Sequence, residues 1–148
     1  MSGLAKLPLF FLCLLLSACV TLMAPYDDKF DQMASDLQKS VSTHIEAIDG
    51  AGLPDCLYAN HKAFYDDARV DASGLAVRAA SHELNSETIR QVEALTGSIN
   101  DFEQLHMLAS NASTPRCLGS MELSPIRRAF DQTLGAIMKL EIAKKRGK

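Results

Sequence analysis

The stretch from Phe30 to Ile48 reads FDQMASDLQKSVSTHIEAI and decides the fold. Its apolar and histidine side chains recur every three or four residues, which places them on one face of an α-helix. The members of this face are Phe30, Met33, Leu37, Val41, His44 and Ile48. We expect Pro25 to open the helix, because a proline's missing N–H costs nothing in a first turn. Gly50 and Gly52 predict its end.

Three further amphipathic stripes follow along the chain. We expect the second helix to start at Pro54 and the third after the N-cap pair Asn85-Ser86. The fourth is expected to start at Ser124-Pro125. The second stripe is Leu57, His61, Phe64, Ala68, Ala72, Leu75, Ala79 and His82; the third is Ile89, Val92, Leu95, Ile99, Phe102, His106 and Ala109; the fourth is Ile126, Phe130, Leu134, Ile137, Leu140 and Ala143. Four helices of similar length predict an all-α, up-down-up-down four-helix bundle over residues 26–148.

The first nineteen residues, MSGLAKLPLFFLCLLLSAC, have the layout of a cleaved secretory signal peptide. Lys6 precedes an apolar run over residues 7–16, which is shorter than the ~20 residues that span a bilayer. The tetrapeptide Leu16-Ser17-Ala18-Cys19 resembles the lipobox of bacterial lipoproteins. The resemblance implies a signal peptide over residues 1–18, an acyl group such as palmitate on Cys19, and a lipidated tether over residues 19–25.

The same resemblance implies a place in the cell. The chain is similar to small helical periplasmic lipoproteins, which are anchored in the bacterial envelope. In such proteins an Asp after the lipidated cysteine implies retention in the inner membrane, and this chain has Val20 there. The expected location is therefore the periplasmic face of the outer membrane.

Four cysteines are present, and two of them belong to the leader and its cleavage site. Cys13 lies in the leader and Cys19 would carry the lipid. Cys56 and Cys117 remain, and an even pair in an oxidising compartment predicts a disulfide bond. The predicted topology brings both to the end of the bundle that is far from the membrane. Two free thiols acting as metal ligands are the alternative.

Charge excludes one class of function and suggests a membrane contact. With 15 basic and 18 acidic residues the chain lacks the basic excess of a nucleic-acid-binding protein. The basic residues of the C-terminus are Lys144, Lys145, Arg146 and Lys148. The topology returns them to the membrane-proximal end, where they either stay in solvent or contact anionic lipid headgroups.

Three histidines on the apolar stripes are the candidate metal ligands. His44, His61 and His106 should lie at nearly the same height, near the membrane-distal end of the bundle. Three converging neutral imidazoles could bind zinc or copper. The alternative is a set of histidines that hydrogen-bond at the edge of the core, or a protonatable layer that destabilises the bundle at low pH.

Tyr58 and Tyr65 lie seven residues apart and could mark a partner surface, although tyrosines there could equally cover the edge of the core. No catalytic motif is found, so an enzyme is not predicted. The expected function is that of an envelope lipoprotein with a periplasm-facing helical module for binding or scaffolding. It would have no cofactor other than its covalent lipid, an envelope protein as partner, and no nucleic-acid partner. The alternative is a bundle that binds or senses a metal through its three histidines.

Overall fold

The structure of the protein is a computed structural model that describes residues 23–147. The predicted leader, Cys19 and most of the tether lie outside these residues, as does Lys148. Four α-helices make up the described part: α1 (Asp28–Asp49), α2 (Lys62–Ala80), α3 (Ser86–Ser110) and α4 (Ser120–Arg146). A short 3₁₀ helix, Tyr58–Asn60, precedes α2, and residues 23–147 contain no β-strand. The predicted all-α class is confirmed for this part of the chain.

The helix ends meet at two poles of a bundle. At one pole Asp27 accepts a hydrogen bond from Arg78 near the end of α2, and its N–H donates to Glu141 near the end of α4. At the other pole Asp49, the last residue of α1, accepts a hydrogen bond from Ser120, the first residue of α4. Each helix packs against the next in sequence, and α4 closes the ring against α1. Consecutive helices therefore run in opposite directions.

The starts of the first two helices differ from those predicted. Pro25 does not open α1; Asp27 is its N-cap, and its carboxylate accepts hydrogen bonds from the N–H groups of Lys29 and Phe30. Pro54 does not open α2 either, because residues 53–56 form turns and the helix begins at Lys62. At the start of α1, the Asp27 carboxylate satisfies two backbone N–H groups, which stabilises the helix. A proline at the first position only avoids leaving one N–H unpaired.

Helix α4 also begins earlier than expected. Its N-cap is Gly119 and not Ser124, so Pro125 lies inside the helix. Glu122 explains the early start, because one carboxylate oxygen accepts from the Gly119 N–H at 2.9 Å and the other from Arg116 at 2.6 Å. This backward contact from the third helical position satisfies an N–H that would otherwise lack a partner.

The core follows the predicted stripes through three helices and the first part of α4. Its fully buried members include Leu37, Leu75, Leu95, Ile99, Leu134 and Ile137. On α2 the structure departs from the stripe, because Tyr65 is fully buried and the expected Phe64 is only partly buried. Near the end of α4 the expected members Leu140 and Ala143 are partly or fully exposed, and Glu141 and Lys144 are buried in their place. The buried face continues with the spacing of 130, 134 and 137, but charged residues occupy its last two positions.

None of the helices between residues 23 and 147 is both long and apolar enough to cross a membrane.

Candidate functional site

Two groups of residues at opposite ends of the bundle are candidates for function. One, which we call the tether pole, comprises residues 23–28, 80–86 and 141–147 and contains the first described residue. The disulfide pole comprises residues 49–61 and 108–120 at the other end. The predicted site residues divide between the two poles and the part of the core beneath the disulfide pole.

The predicted disulfide is present. Cys56 and Cys117 are bonded to each other, with their Cα atoms 5.4 Å apart. Cys56 is fully buried, and the bond joins the loop before α2 to the loop before α4. Both half-cystines lie at the pole opposite to the point where the chain enters, as the topology predicted.

The three candidate histidines converge as the sequence predicted. The ring centroids of His44 and His61 are 5.0 Å apart, and those of His61 and His106 are 5.4 Å apart. His44 and His106 are buried on α1 and α3, and His61 is the residue before α2. The histidines therefore form one cluster beneath the disulfide pole.

His106 uses both ring nitrogens within this cluster. Its Nε2 lies 2.8 Å from the carbonyl oxygen of Cys56, and its Nδ1 lies 2.8 Å from the hydroxyl of Tyr65. A carbonyl can only accept, so Nε2 carries the proton, Nδ1 accepts, and the Tyr65 hydroxyl donates. Burial lowers the pKa of His106, and the hydrogen bond to Cys56 opposes this only in part. A neutral imidazole thus ties the loop that holds Cys56 to the core.

These contacts leave the cluster short of metal ligands. The Nε2 of His61 is also hydrogen-bonded: it donates to the backbone carbonyl of Asp55 at 2.9 Å. Within residues 23–147 no group of three or more His, Cys, Asp or Glu side chains is placed to hold a metal ion. The three histidines do converge, but both ring nitrogens of His106 and the Nε2 of His61 are already hydrogen-bonded to other groups.

His44 has the most unusual environment of the three. Its ring stacks on Phe64 with centroids 3.6 Å apart, and its Nε2 is buried without a hydrogen-bond partner. Burial, followed by the nearby His61 and His106, lowers the pKa of His44 to about 3. The ring is therefore neutral at ordinary pH, and the protein keeps a polar atom in its core without satisfying it.

An open groove of about 520 Å³ runs beside His44 between α1 and α2. Phe64 and Ala47 give it an apolar floor, and its other lining residues are polar: Asp36, Lys39, Ser40 and Thr43. A mixed apolar and polar groove of this kind is able to receive a side chain or a small ligand.

The predicted tyrosine surface is wrong for Tyr65. Tyr65 is fully buried among Phe64, Phe102 and His106, and burial raises the pKa of its hydroxyl. Tyr58 is partly exposed, but its hydroxyl donates to Glu103 at 2.7 Å. Tyr58 belongs to the 3₁₀ helix and Tyr65 to α2. Their ring centroids are 5.8 Å apart, so the two rings are neighbours, but of the two Tyr58 alone reaches the surface.

At the tether pole Asp27 connects three elements. Its carboxylate caps α1, accepts from Arg78 Nε at 2.6 Å and lies 3.2 Å from His82 Nε2. Burial alone would raise the pKa of Asp27, but the hydrogen bonds from Arg78, the Phe30 N–H and His82 outweigh it and lower the pKa to about 2. The start of α1 is thereby fixed to the end of α2.

The predicted lipid contact at Lys144 is wrong. Lys144 is buried, and its ammonium donates to Glu141 at 2.5 Å, to Asn85 at 2.7 Å and to Thr88 at 2.9 Å. An ion pair closed inside the bundle cannot reach lipid headgroups. Lys145 and Arg146 are exposed, and the Lys145 ammonium lies 5.1 Å from the centre of the Tyr26 ring.

The tether pole also exposes apolar side chains that the sequence patterns did not single out. Leu84 is 63% exposed and has a φ of 59°, in the left-handed region, and Met23 is 40% exposed. The Leu84 carbonyl accepts a hydrogen bond from the N–H of Ala24, so the turn before α3 holds the incoming chain. No local sequence pattern could reveal this pairing, because it joins residues sixty positions apart.

No protein-family model matches the chain, and no curated protein or solved structure was found to be similar to it.

Proposed function

We propose that this protein is a bacterial envelope lipoprotein whose helical bundle is a periplasm-facing module for binding or scaffolding. In this proposal the leader is removed after Ala18, and Cys19 is acylated and becomes the first residue of the mature protein. The support comes from the lipobox-like tetrapeptide and from Ala24, which lies close after Cys19 in the sequence, is buried and is hydrogen-bonded to Leu84.

The observation that carries the proposal is the Cys56–Cys117 disulfide. Stable disulfides belong to oxidising compartments, and the periplasm is one. Pairing of these two residues assigns both cysteines of the body to each other. Cys19 is then the cysteine of the mature chain that remains for acylation, which is the arrangement that a lipoprotein needs.

The groove beside His44 supports the binding part of the proposal. It lies on the half of α1 nearer the disulfide pole, so an N-terminal anchor would leave it accessible from the periplasm. His44 and Phe64, whose rings stack on each other, both line it and give it an aromatic surface. An envelope protein that inserts a side chain there is the expected partner.

Metabolic labelling with a fatty acid tests the anchor. Cys19→Ser should abolish incorporation of the label and release the protein from membranes. Cys13→Ser is the matched control, because it changes a leader cysteine that would be discarded, and it should keep both label and membrane association. Equal labelling of the two variants, or an unmodified Cys19 in the mass spectrum of the mature protein, would contradict the proposal.

Site-specific photo-crosslinking in native envelopes tests the binding part. Thr43 lines the groove and is exposed, whereas Arg128 is exposed on α4 away from it. A photoreactive residue at Thr43 should give one dominant product, and the same residue at Arg128 should not. Similar mixtures of weak products from both positions would count against a specific groove partner.

A further inference from the structure

We propose that the tether pole rests directly on the bilayer, with Leu84 and Met23 in contact with the lipid interface. This inference deepens the proposed function and rests on the acyl anchor at Cys19. The surface consists of Leu84 in the turn before α3, Met23 at the start of the described chain, and the exposed basic residues Lys145 and Arg146 at the end of α4.

Leu84 provides the first argument, because both its backbone and its side chain are in unfavourable states. A φ of 59° suits glycine or asparagine, and leucine adopts it at a cost. Its side chain is 63% exposed and so contributes little to the core. Residues held in such conformations tend to lie at functional positions. An apolar ligand that covers Leu84 would account for the presence of leucine there.

The length of chain outside the structure provides the second argument. Four Cα steps separate Cys19 from Met23, which span at most about 14 Å when fully extended. Ala24 is hydrogen-bonded to Leu84, so the exit point of the tether and the exposed leucine are neighbours. A bilayer that holds an acyl group on Cys19 therefore cannot be far from Leu84, and interfacial side chains of membrane-bound proteins enter only ~5–10 Å into that boundary.

Charge is compatible with this placement but does not select it. Lys145 and Arg146 would favour anionic headgroups, while Asp28 and Glu83 are exposed at the same pole. Lys144 cannot contribute, since it is paired with Glu141 inside the bundle. The attraction should therefore come mainly from the apolar residues, and contact should persist on zwitterionic lipid.

The absence of tryptophan from the sequence gives a direct test. Leu84→Trp introduces a single tryptophan at the tether pole, and Leu108→Trp introduces one at the disulfide pole, where leucine is 70% exposed. Both full-length variants are expressed with their leader, purified from membranes and reconstituted into phosphatidylcholine vesicles that contain brominated lipid. Bromine quenches tryptophan that reaches the acyl region, so the Leu84→Trp emission should be quenched about twofold or more relative to Leu108→Trp.

Equal quenching of the two variants would overturn the proposal. The proposal would also be overturned if the tryptophan at position 84 were shielded from water in native envelopes but not quenched in lipid vesicles. That result would point to a protein that covers the pole.

The mass of Cys19 in the same samples separates this inference from the proposed function. An acylated Cys19 with an unquenched Leu84→Trp variant removes the bilayer contact and keeps the lipoprotein. If Cys19 proves unmodified, the proposed function is wrong, and the contact is tested by coupling a maleimide lipid to Cys19 in a Cys13→Ser background. Coupling is selective because Cys56 and Cys117 are bonded to each other. The quenching criterion is unchanged.

The melting temperature of Leu84→Asn is a second test, because it shows whether the leucine side chain is needed to stabilise the fold. Asparagine tolerates the left-handed conformation better, so the melting temperature of this variant should rise or stay the same. A clear fall in melting temperature would show that Leu84 is held in place for packing, and it would overturn the argument from its exposure and conformation.

Discussion

His44 shows how a single neutral ring couples the fold to pH. Its pKa is lowered to about 3 by burial and by the neighbouring His61 and His106, whereas an unfolded histidine titrates near 6.5. Below pH ~6.5 the unfolded chain therefore binds a proton that the folded chain excludes. The free energy of unfolding therefore falls as pH decreases, and this one histidine contributes up to about 1.4 kcal/mol per pH unit.

We predict that His44→Phe reduces this slope. Phenylalanine preserves the stacking on Phe64 and removes the unsatisfied Nε2, so stability at pH 8 should be equal or higher. Between pH 6 and ~4.5 the slope should become smaller without vanishing, because His106, whose pKa is also lowered, still contributes. Urea unfolding at several pH values measures both quantities, and identical slopes in variant and wild type would contradict the prediction.

Lys144 and Glu141 form the buried ion pair at the tether pole. Lys144→Met would leave the Glu141 carboxylate, which is 1% exposed, without its cation. We expect a loss of about 3–5 kcal/mol in the free energy of unfolding, because an uncompensated buried charge is costly.

Denaturant unfolding with two companion variants checks this expectation. The double variant Lys144→Met/Glu141→Gln should recover part of the loss, because no buried charge remains. Lys145→Met is the matched control: the side chain is exposed and lies over Tyr26, so its loss should cost under about 1 kcal/mol. A similar cost for both single lysine variants would show that the pair is not what stabilises this pole.

The same pair marks a limit of sequence reasoning at the level of residues. Periodicity alone extends the buried face of α4 from 130, 134 and 137 to 141 and 144, whereas apolar character favours Leu140 and Ala143 at those turns. Glu141 and Lys144 can be buried because Asn85 and Thr88 complete the hydrogen bonds of the Lys144 ammonium, and the Asp27 N–H donates to the Glu141 carboxylate. That complementarity is tertiary and cannot be read from the sequence of α4.

At the level of helices, the interiors were predicted better than the starts. Periodic apolar residues fix an interior, whereas a start depends on which group satisfies the first N–H groups. Pro25, Pro54 and Pro125 each predict a helix start, but two of the starts are set by a carboxylate: Asp27 for α1 and Glu122 for α4. Both carboxylates are visible in the sequence, so weighing caps above prolines would have corrected these two starts.

The helix glycines give a prediction at this level. A methyl group added at Gly97 or Gly135 would meet no atom within 4 Å, so alanine there should raise the free energy of unfolding by about 0.5–1 kcal/mol each. Gly74 differs, because its added methyl would lie 3.0 Å from the end of the Met33 side chain where α2 packs on α1.

Thermal or urea unfolding of the three single alanine variants measures these differences. Gly74→Ala should gain less than the other two or lose stability, depending on how far Met33 moves. A uniform gain across the three positions would mean that the contact between α1 and α2 at Gly74 is looser than the structure gives.

At the scale of the whole bundle, the number of helices in residues 23–147, their antiparallel order and the meeting of Cys56 and Cys117 at one pole were predictable. Each follows from counting periodic segments and alternating their direction. The same counting brought His44, His61 and His106 together, but it could not say where their ring nitrogens point. Those directions depend on the Cys56 and Asp55 carbonyls and the Tyr65 hydroxyl, which belong to loops and neighbouring helices.

The disulfide gives the prediction that concerns the entire fold. It joins residues 61 positions apart, and closing a loop of that length in the unfolded chain accounts for about 4 kcal/mol of stability in the chain-entropy model. The double variant Cys56→Ala/Cys117→Ala should therefore lose roughly that much, in addition to a smaller packing loss at the fully buried Cys56.

Urea unfolding of the variant, and of the wild-type protein with and without reductant, measures this loss. The helix content of the folded variant should be unchanged, because the contacts between helices lie below the disulfide pole. The circular dichroism at 222 nm before the transition reports the helix content.

His106 offers an internal check, because its Nε2 donates to the Cys56 carbonyl. If the loop detaches, the ring gains access to water, and the lowered pKa of His106 should move toward the ordinary value. A double variant as stable as the wild type would mean that the packed helices alone hold this pole together.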